Sequence, residues 1–451
     1  MRRSSESTFA ARVAPRKTPP ERYRYTRRTL RAVATVLDYL GTRAWRVYRR
    51  AFKGTLARNT AGSRETVRAI LLVQLDHLGD AVLTSALLPL LRRRFPEAAL
   101  DVLASPWNRV IFETNPYVRR VVVSERNWFG RSRGQQGFVR EAFVLGKQLR
   151  PYGYDLGIDV RGDLLVALLL WVAGVRRRLG SGAGGGAFLL TDCSPWVPDR
   201  HELTARLALL EPLGIAPAPN EVRPEVYPTV EHRQRVGSRL SGVRDVDRPL
   251  WVLHVGAGTD AKRWPIEHQR ELIRLLHYGN GADATARRDS PSRVPSPHFS
   301  ATRLGQPVCQ ANSRPQIILV GDRKEQALAR RVAAGTGPPD VVDWTGRLEL
   351  LELAALLERA DLFVGADSGP AHLAAWARTP SVVLFSGTNH VNQWRPPSDA
   401  VTVMQHRTEC SPCHLKRCVF SDHPCMTALT PELVGRVAHR VSNREREVAA
   451  R

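Results

Sequence analysis

Four residues able to bind or transfer polar groups stand close together in GADSGPAHLAAW: Asp367, Ser368, Gly369 and His372. The apolar run Asp361–Ala366 precedes them and reads as a strand buried on both faces. Pro370 suits the first turn of a helix, where no donor is lost, and Ser368 can cap it. Gly369 lets backbone come close to a ligand. Free N–H groups at the positive end of such a helix make an anion site. A phosphate there meets N–H donors and an imidazole, while Asp367 accepts from a sugar or ribose hydroxyl. An ordinary strand–helix turn with a capping serine fits the same residues, and this segment alone does not separate the two.

Two further segments have the same strand–loop–helix setting. In LDHLGD, Leu75–Asp80, Gly79 permits a tight turn and places Asp80 at a helix start. A carboxylate there is either a general base toward an incoming hydroxyl or an ordinary cap. In HVGAGTDAKRWP, His254–Pro265, the small residues Gly256, Ala257 and Gly258 allow backbone approach. Thr259 can donate a hydroxyl, and Lys262 either reaches a diphosphate as a mobile cation or is solvated. No GxGxxG follows the first strand, and the chain contains no GxxxxGK[ST] sequence.

These loops need parallel sheets to hold them. Val67–Gln74, Leu100–Ala104, Val118–Ser124 and Asp155–Val160 read as strands. Helices are expected at Ala81 to about Arg94, about 107–113, 137–149, Leu164–Ala173 and Leu203–Leu213. The stretch 214–248, richer in Pro and charge, reads as an interdomain linker with a little structure. The alternation restarts at Trp251–His254, continues through a helix at about 265–277, and adds strands at Ile317–Val320, Val341–Val342, Asp361–Ala366, Ser381–Phe385 and Val401–Met404. The run Leu348–Leu357 is too short for a coiled coil and reads as a core helix. A last helix, Pro431–Val441, could pack back on the first domain. Alternating strands and helices imply α/β architecture: two Rossmann-like halves with parallel sheets facing a cleft. The expected divisions are a basic extension at 1–66, an acceptor half at 67–230 and a donor half at 245–445. The last is interrupted by a disordered Ser/Arg/Pro/Asn-rich insertion at about 279–314. Ligands of open α/β sheets sit at the carboxyl ends of strands, where the three loops lie.

Taken in order, ILLVQLDHLGDAVLTSALLPLLRRRFPEAALDVLA, NPYV, YDLGIDVRGDLLVALL, HVGAGTDAKRWP, TGRLELLELAALLERADLFVGADSGPAHLAAW and CSPCHLKRC resemble the heptosyltransferase-like glycosyltransferases of family 9. The resemblance spans about Val67 to Val441. It implies a GT-B fold, an inverting transfer of sugar from a nucleotide donor to lipopolysaccharide core, and no catalytic metal or other cofactor. It implies Asp80 as general base and Lys262 on donor phosphate, with Thr259 beside it. Asp367, Ser368, Gly369 and His372 would hold diphosphate and sugar, and Asp322 or Glu325 the ribose. Thr388 and Trp394 match a loop lining the same cleft, although SGTNHVNQW lacks the prolines frequent there. The implied partners are ADP-heptose and an anionic glycolipid or glycan. A second possibility keeps the family and changes the donor to another nucleotide sugar.

The net charge of +24 is unevenly spread, with +13 carried by residues 1–67. Residues 27–53 form a basic amphipathic pattern, with Leu30, Val33, Leu37, Leu40, Ala44, Val47 and Ala51 on one face. Such a helix either lies on an anionic membrane or packs on its own domain with its arginines solvated. A nucleic-acid-binding protein is a third reading of the charge. The excess sits in a tail and no nucleic-acid motif is present, so no nucleic-acid partner is expected. The Arg92–Arg94 and Arg176–Arg178 runs read as solvated faces or as contacts to acceptor phosphates. The start has no secretory pattern, and the longest apolar run, Leu164–Val175, falls short of the roughly 20 residues a span requires. The expectation is a cytoplasmic protein, peripheral on the inner face of the membrane. Cys410, Cys413, Cys418 and Cys425 fall within 16 residues. Structural zinc, free thiols and short disulfides all remain open for them.

Overall fold

The computed structural model describes residues 28–51, 66–126, 128, 138–278, 314–335 and 340–449. The expected disordered tail and nearly all of the expected insertion lie outside these. Strands β1 (Ala69–Gln74), β2 (Ala99–Ala104), β3 (Arg120–Val123), β4 (Leu156–Asp159), β5 (Arg177–Gly180) and β6 (Asp192–Cys193) form one parallel sheet, ordered 3-2-1-4-5-6. Strands β7 (Leu250–His254), β8 (Gln316–Val320), β9 (Val341–Asp343), β10 (Leu362–Ala366), β11 (Ser381–Phe385) and β12 (Val401–Gln405) form a second, ordered 12-11-10-7-8-9. Counted from its own first strand, the second order is the same as the first. Each sheet therefore reverses between its first and fourth strands, which is where such sheets bind ligands.

The period-2 alternation of side chains sorts the core into layers. Ile70 and Leu72 of β1 point into a central cluster, together with Val252, Phe363, Val383 and residues of both halves. Leu71 and Val73 point instead into the outer core of the first half. Trp251, Leu253, Val364 and Leu384 point into the outer core of the second. Both sheets are thus buried on both faces, which is why their strands read as continuous apolar runs.

Twelve helices of seven or more residues flank the sheets among the described residues. They are α1 (Arg28–Ala51), α2 (Leu78–Ser85), α3 (Leu87–Arg94), α4 (Phe138–Leu149), α5 (Leu164–Val172), α6 (Glu202–Ala208), α7 (Val230–Ser241), α8 (Ile266–Tyr278), α9 (Gln326–Ala333), α10 (Leu350–Leu357), α11 (Gly369–Trp376) and α12 (Pro431–Ala449). Several departures from expectation have local causes. The helix expected from Ala81 starts at Leu78 and breaks at Ala86, beside Ser85, whose hydroxyl bonds back to Val82 O at 2.7 Å. The helix expected over Leu203–Leu213 stops at Ala208 and is followed by a separate turn, Glu211–Leu213. The 214–248 stretch is no plain linker. It contains α7, which buries Val236 and Leu240 and is tied to α10 by Arg235 on Glu352 at 2.7 Å.

α12 does not return to the first half. It packs against α8, and its Val434 and Ala438 enter the outer core of the second half. The arginine runs are partly solvated, with Arg93, Arg94 and Arg176 exposed, and partly tied to their own domain. Arg92 donates to Pro96 O and Ala98 O, Arg94 to Leu213 O, and Arg178 to Val175 O and Leu189 O, while Arg177 pairs with Asp192. α1 does pack on its own domain, but not by the apolar face that its sequence displays. The contacts come from Ala34, Asp38, Gly41 and Trp45, and Val33, Leu37, Leu40 and Val47 stay exposed. No helix among the described residues is long and apolar enough to cross a membrane.

Candidate active site

In the first half, the loop after β1 leads into α2. The His77 side chain at the helix start makes no cap bond, and Asp80 lies in the first turn. Its carboxylate accepts from Arg206 Nη2 at 2.6 Å. Arg206 lies on α6 and is 2% exposed. It also bonds Glu202 Oε2 at 2.8 Å and Thr84 Oγ1 at 3.0 Å. Burial works against its charge, but Glu202 and Asp80 more than offset this and raise its pKa. Glu202 Oε1 in turn accepts from Gln393 Nε2 of the second half at 3.0 Å. Beside this group, buried Asp76 pairs with Arg161 from the loop after β4. Asp159, at the end of β4, is pushed up to about 7 by burial and by neighbouring Asp163. Three N–H donors, from Arg161, Gly162 and Asp163, work in the opposite direction.

In the second half, Lys262 and Asp367 reach each other across two loops, with Nζ 2.6 Å from Oδ2. Asn389 Nδ2 donates to the same oxygen at 3.0 Å. Lys262 is therefore held by a carboxylate rather than mobile. Ser368 stands at the cap position of α11, but its hydroxyl makes no cap bond and donates to Ala366 O. It also lies 3.3 Å from His254 Nδ1, whose Nε2 is 3.5 Å from Glu325 Oε2. Burial raises the Glu325 carboxyl, but the facing His254 outweighs this and holds it below its ordinary range. Asp322 is exposed and caps the next turn through Lys324 N and Glu325 N. Of the two ribose candidates, only Glu325 faces the loop after β7. Its carboxylate lies so close to Gly256 that any side chain there would collide with it. The room expected at Gly256 for a ligand is thus occupied by Glu325. Thr259 Oγ1 is buried without a partner. Thr388 is buried with its hydroxyl 2.9 Å from Ser386 Oγ, and Trp394 is half-buried against the central core.

One of the contacts between the halves lies where α2 and α11 start. A Cβ on Gly79 would lie 2.8 Å from the His372 ring, and one on Gly369 would lie 2.6 Å from Leu78. Gly79 has no positive φ, so it serves this close approach rather than a tight turn. The contact brings Asp80, one residue on, to the start of the donor-side helix. Pro370 lacks an N–H and that of Ala371 goes to Ser368 O, which leaves the N–H groups of Ser368 and Gly369 for a ligand. His372 is 4% exposed, and its Nδ1 has no partner. Burial drives its pKa down to about 4, so the ring is neutral at pH 7 and acts as a polar group rather than a cation.

The cysteine segment braces these loops. Cys413 N donates to Gly387 O, His414 N to Thr388 O, and Ala261 N to Lys416 O. Cys410, Cys413, Cys418 and Cys425 line one small pocket with Thr388 and Ala261, and all four are free thiols. No group of three or more His, Cys, Asp or Glu side chains among the described residues is arranged to hold a metal ion.

Of the expected site residues, Asp80, Lys262, Thr259, Glu325, Asp367, Ser368, Gly369 and His372 converge. Asp322 and Thr388 are engaged structurally at its edge. Arg206, Glu202, His254, Asn389 and Gln393 were not anticipated. For Glu202 and Arg206 the visible signal was their spacing, since residues four apart share a helix face, while His254, Asn389 and Gln393 stand in stretches already read as lining the cleft. The arrangement offers a carboxylate on one side of a cleft. Opposite it stand a cation, helix-start N–H groups and two unsatisfied polar atoms. That set suits displacement of a phosphorylated leaving group by a hydroxyl.

The family model of glycosyltransferase family 9 (heptosyltransferase) matches residues 142–281 and 295–423. Lipopolysaccharide heptosyltransferase 3 of Escherichia coli is 25% identical over 326 residues, covering 71% of this chain and 84% of that protein. The structure of the E. coli ADP-heptose lipopolysaccharide heptosyltransferase II superposes with a TM-score of 0.62 at 20% identity, covering 84% of this chain and 99% of that one. The family 9 glycosyltransferase of Veillonella parvula gives a TM-score of 0.64 at 18% identity, covering 84% and 97%. The two-sheet architecture is the GT-B fold.

Proposed function

The chain belongs to glycosyltransferase family 9 (heptosyltransferase), and from that membership we propose that it moves heptose from ADP-heptose to an anionic lipopolysaccharide-core glycan, with inversion and without a metal ion. The observation that carries this is the placement of Asp80 beside the start of α11, opposite Lys262 and Asp367. The names of the relatives supply the sugar and the acceptor class.

The step is a single displacement. The acceptor hydroxyl oxygen attacks the anomeric carbon as its proton passes to Asp80. The bond from that carbon to the diphosphate oxygen breaks, and its electron pair leaves with the nucleotide. Arg206 orients the Asp80 carboxylate. Donor binding separates Lys262 from Asp367, so that the ammonium meets phosphate and the carboxylate meets sugar hydroxyls. The N–H groups of Ser368 and Gly369 then face charge that grows as the bond breaks. Thr259 Oγ1 and His372 Nδ1 gain partners from the donor, and Glu325 takes the ribose. The reaction is placed at the cytoplasmic face of the membrane that carries the acceptor.

The test combines ADP-heptose, UDP-glucose or GDP-mannose with a core-glycan acceptor and assigns the product anomer by NMR. Transfer from ADP-heptose with inversion, unchanged by a chelator, is expected. Asp80→Asn should lower kcat by about 10²–10⁴-fold with donor Kd little changed. Retention of configuration, or full turnover by Asp80→Asn, refutes the mechanism. Transfer only from another nucleotide sugar refutes the donor.

A further inference from the structure

We propose that α1 is a lipid-contacting helix: its exposed apolar stripe and arginines settle on an anionic membrane surface while its opposite side is clamped to the acceptor half. Its orienting role rests on the proposed glycolipid acceptor; its lipid contact does not.

The helix docks by its less apolar side. Ala34, Asp38, Gly41 and Trp45, spaced four, three and four apart, form the contact face. Asp38 is 3% exposed and accepts from Gly186 N at 2.7 Å. Gly41 seats against the Phe188 ring, and Trp45 meets Trp171 edge-on at 6.1 Å. The other side is unusual for a docked helix. Val33, Val36, Leu37, Leu40 and Val47 form one stripe and are 54, 56, 45, 56 and 66% exposed. A helix held only by its own domain would turn that stripe inward. A contiguous exposed apolar stripe marks an interaction surface rather than scattered surface residues.

The charge identifies the partner. Arg28–Ala51 contains six arginines and one acid. The acid, Asp38, is turned inward onto Gly186, so nothing acidic faces outward from the helix. Arg43 and Arg46 are exposed, and the Arg43 guanidinium lies 4.4 Å over the Tyr39 ring at the border of the stripe. An apolar stripe bordered by arginines matches the boundary between acyl chains and anionic headgroups.

The clamp leads to the site. Gly186 lies in the loop after β5, where Gly184 N donates to Gly162 O, and neighbouring Arg161 pairs with Asp76. A bilayer under α1 therefore lies against the half that carries Asp80, and a lipid-borne acceptor reaches that half from its own membrane.

The test is cosedimentation of the full chain with phosphatidylcholine vesicles with or without about 30% phosphatidylglycerol, compared with a Leu37→Glu/Leu40→Glu variant. Both positions are exposed, so folding should be retained, checked by thermal melting. Salt-sensitive binding to the anionic vesicles, reduced at least tenfold in the variant, is expected. Transfer to a water-soluble acceptor should be equal in the two proteins, while transfer to a vesicle-embedded acceptor should fall in the variant. No binding by the parent chain, or equal binding by the variant, overturns the proposal. A dimer of the parent chain that the substitutions dissolve also overturns it, because a second copy then covers the stripe. Vesicle binding by the parent chain that the variant loses, in a protein that transfers no sugar, would leave the lipid contact standing and remove the acceptor reading.

Discussion

The two halves share one strand order but differ at their strand ends. In the first, charges are matched within the protein: Asp80 and Glu202 on Arg206, and Asp76 on Arg161. In the second, Lys262 and Asp367 are matched, while Thr259 Oγ1 and His372 Nδ1 are buried without partners. Buried polar atoms are nearly always bonded, so these two, both on the donor side, ask for a ligand; the first half also has such an atom at the end of β1, Gln74 Nε2. One half holds a reactive group in place and the other holds room for a ligand. Identical topology supplied both, and the loops decided which.

The largest effect should come from breaking the matched side. Arg206→Met leaves two carboxylates facing a buried gap and should lower unfolding free energy by about 3–5 kcal/mol in urea titrations. A loss below 1 kcal/mol would mean that the pairing contributes little. Next, Lys262→Ala removes the donor-side cation. It should weaken nucleotide-sugar binding by about 1.5–3 kcal/mol, roughly ten- to a hundredfold in calorimetric Kd, and should also lower stability, because the buried Asp367 carboxylate keeps only Asn389 on that oxygen. The smallest effect is a pH slope. His372 takes up a proton near 6.5 when unfolded but only near 4 when folded, so the unfolded chain binds more protons in between and acidification destabilises the fold. Asp159 contributes the opposite slope over much of that range, since its folded pKa is raised. The comparison must therefore be with His372→Gln. Between pH 7 and pH 6 the native chain should lose roughly 0.7 kcal/mol more than this variant. Parallel curves would mean that the folded ring takes up its proton as readily as the unfolded one.

The alternation of strands and helices and the position of Asp80, Lys262 and Asp367 could be read along the chain, because apolar periodicity and loop position are local properties. The partner of Asp80 could not, since Arg206 stands 126 residues away. Gly79 was visible as a glycine, but its reason, the His372 ring, belongs to the other half. Helical periodicity showed that α1 has an apolar face. It could not show which way that face turns, because a buried Asp38–Gly186 bond decides the docking. The direction of α12 was hidden for a like reason: Val434 and Ala438 fit any apolar surface, and only the assembled second half offers theirs.

The contact between the starts of α2 and α11 has a mechanical consequence. If one half rotates on the other about that point, displacement grows with distance from it. A fulcrum one residue from Asp80 gives the cleft long lever arms at its rim and almost none at its centre. Opening can then admit a bulky glycan and release a nucleotide while the spacing between base and donor-side helix hardly changes.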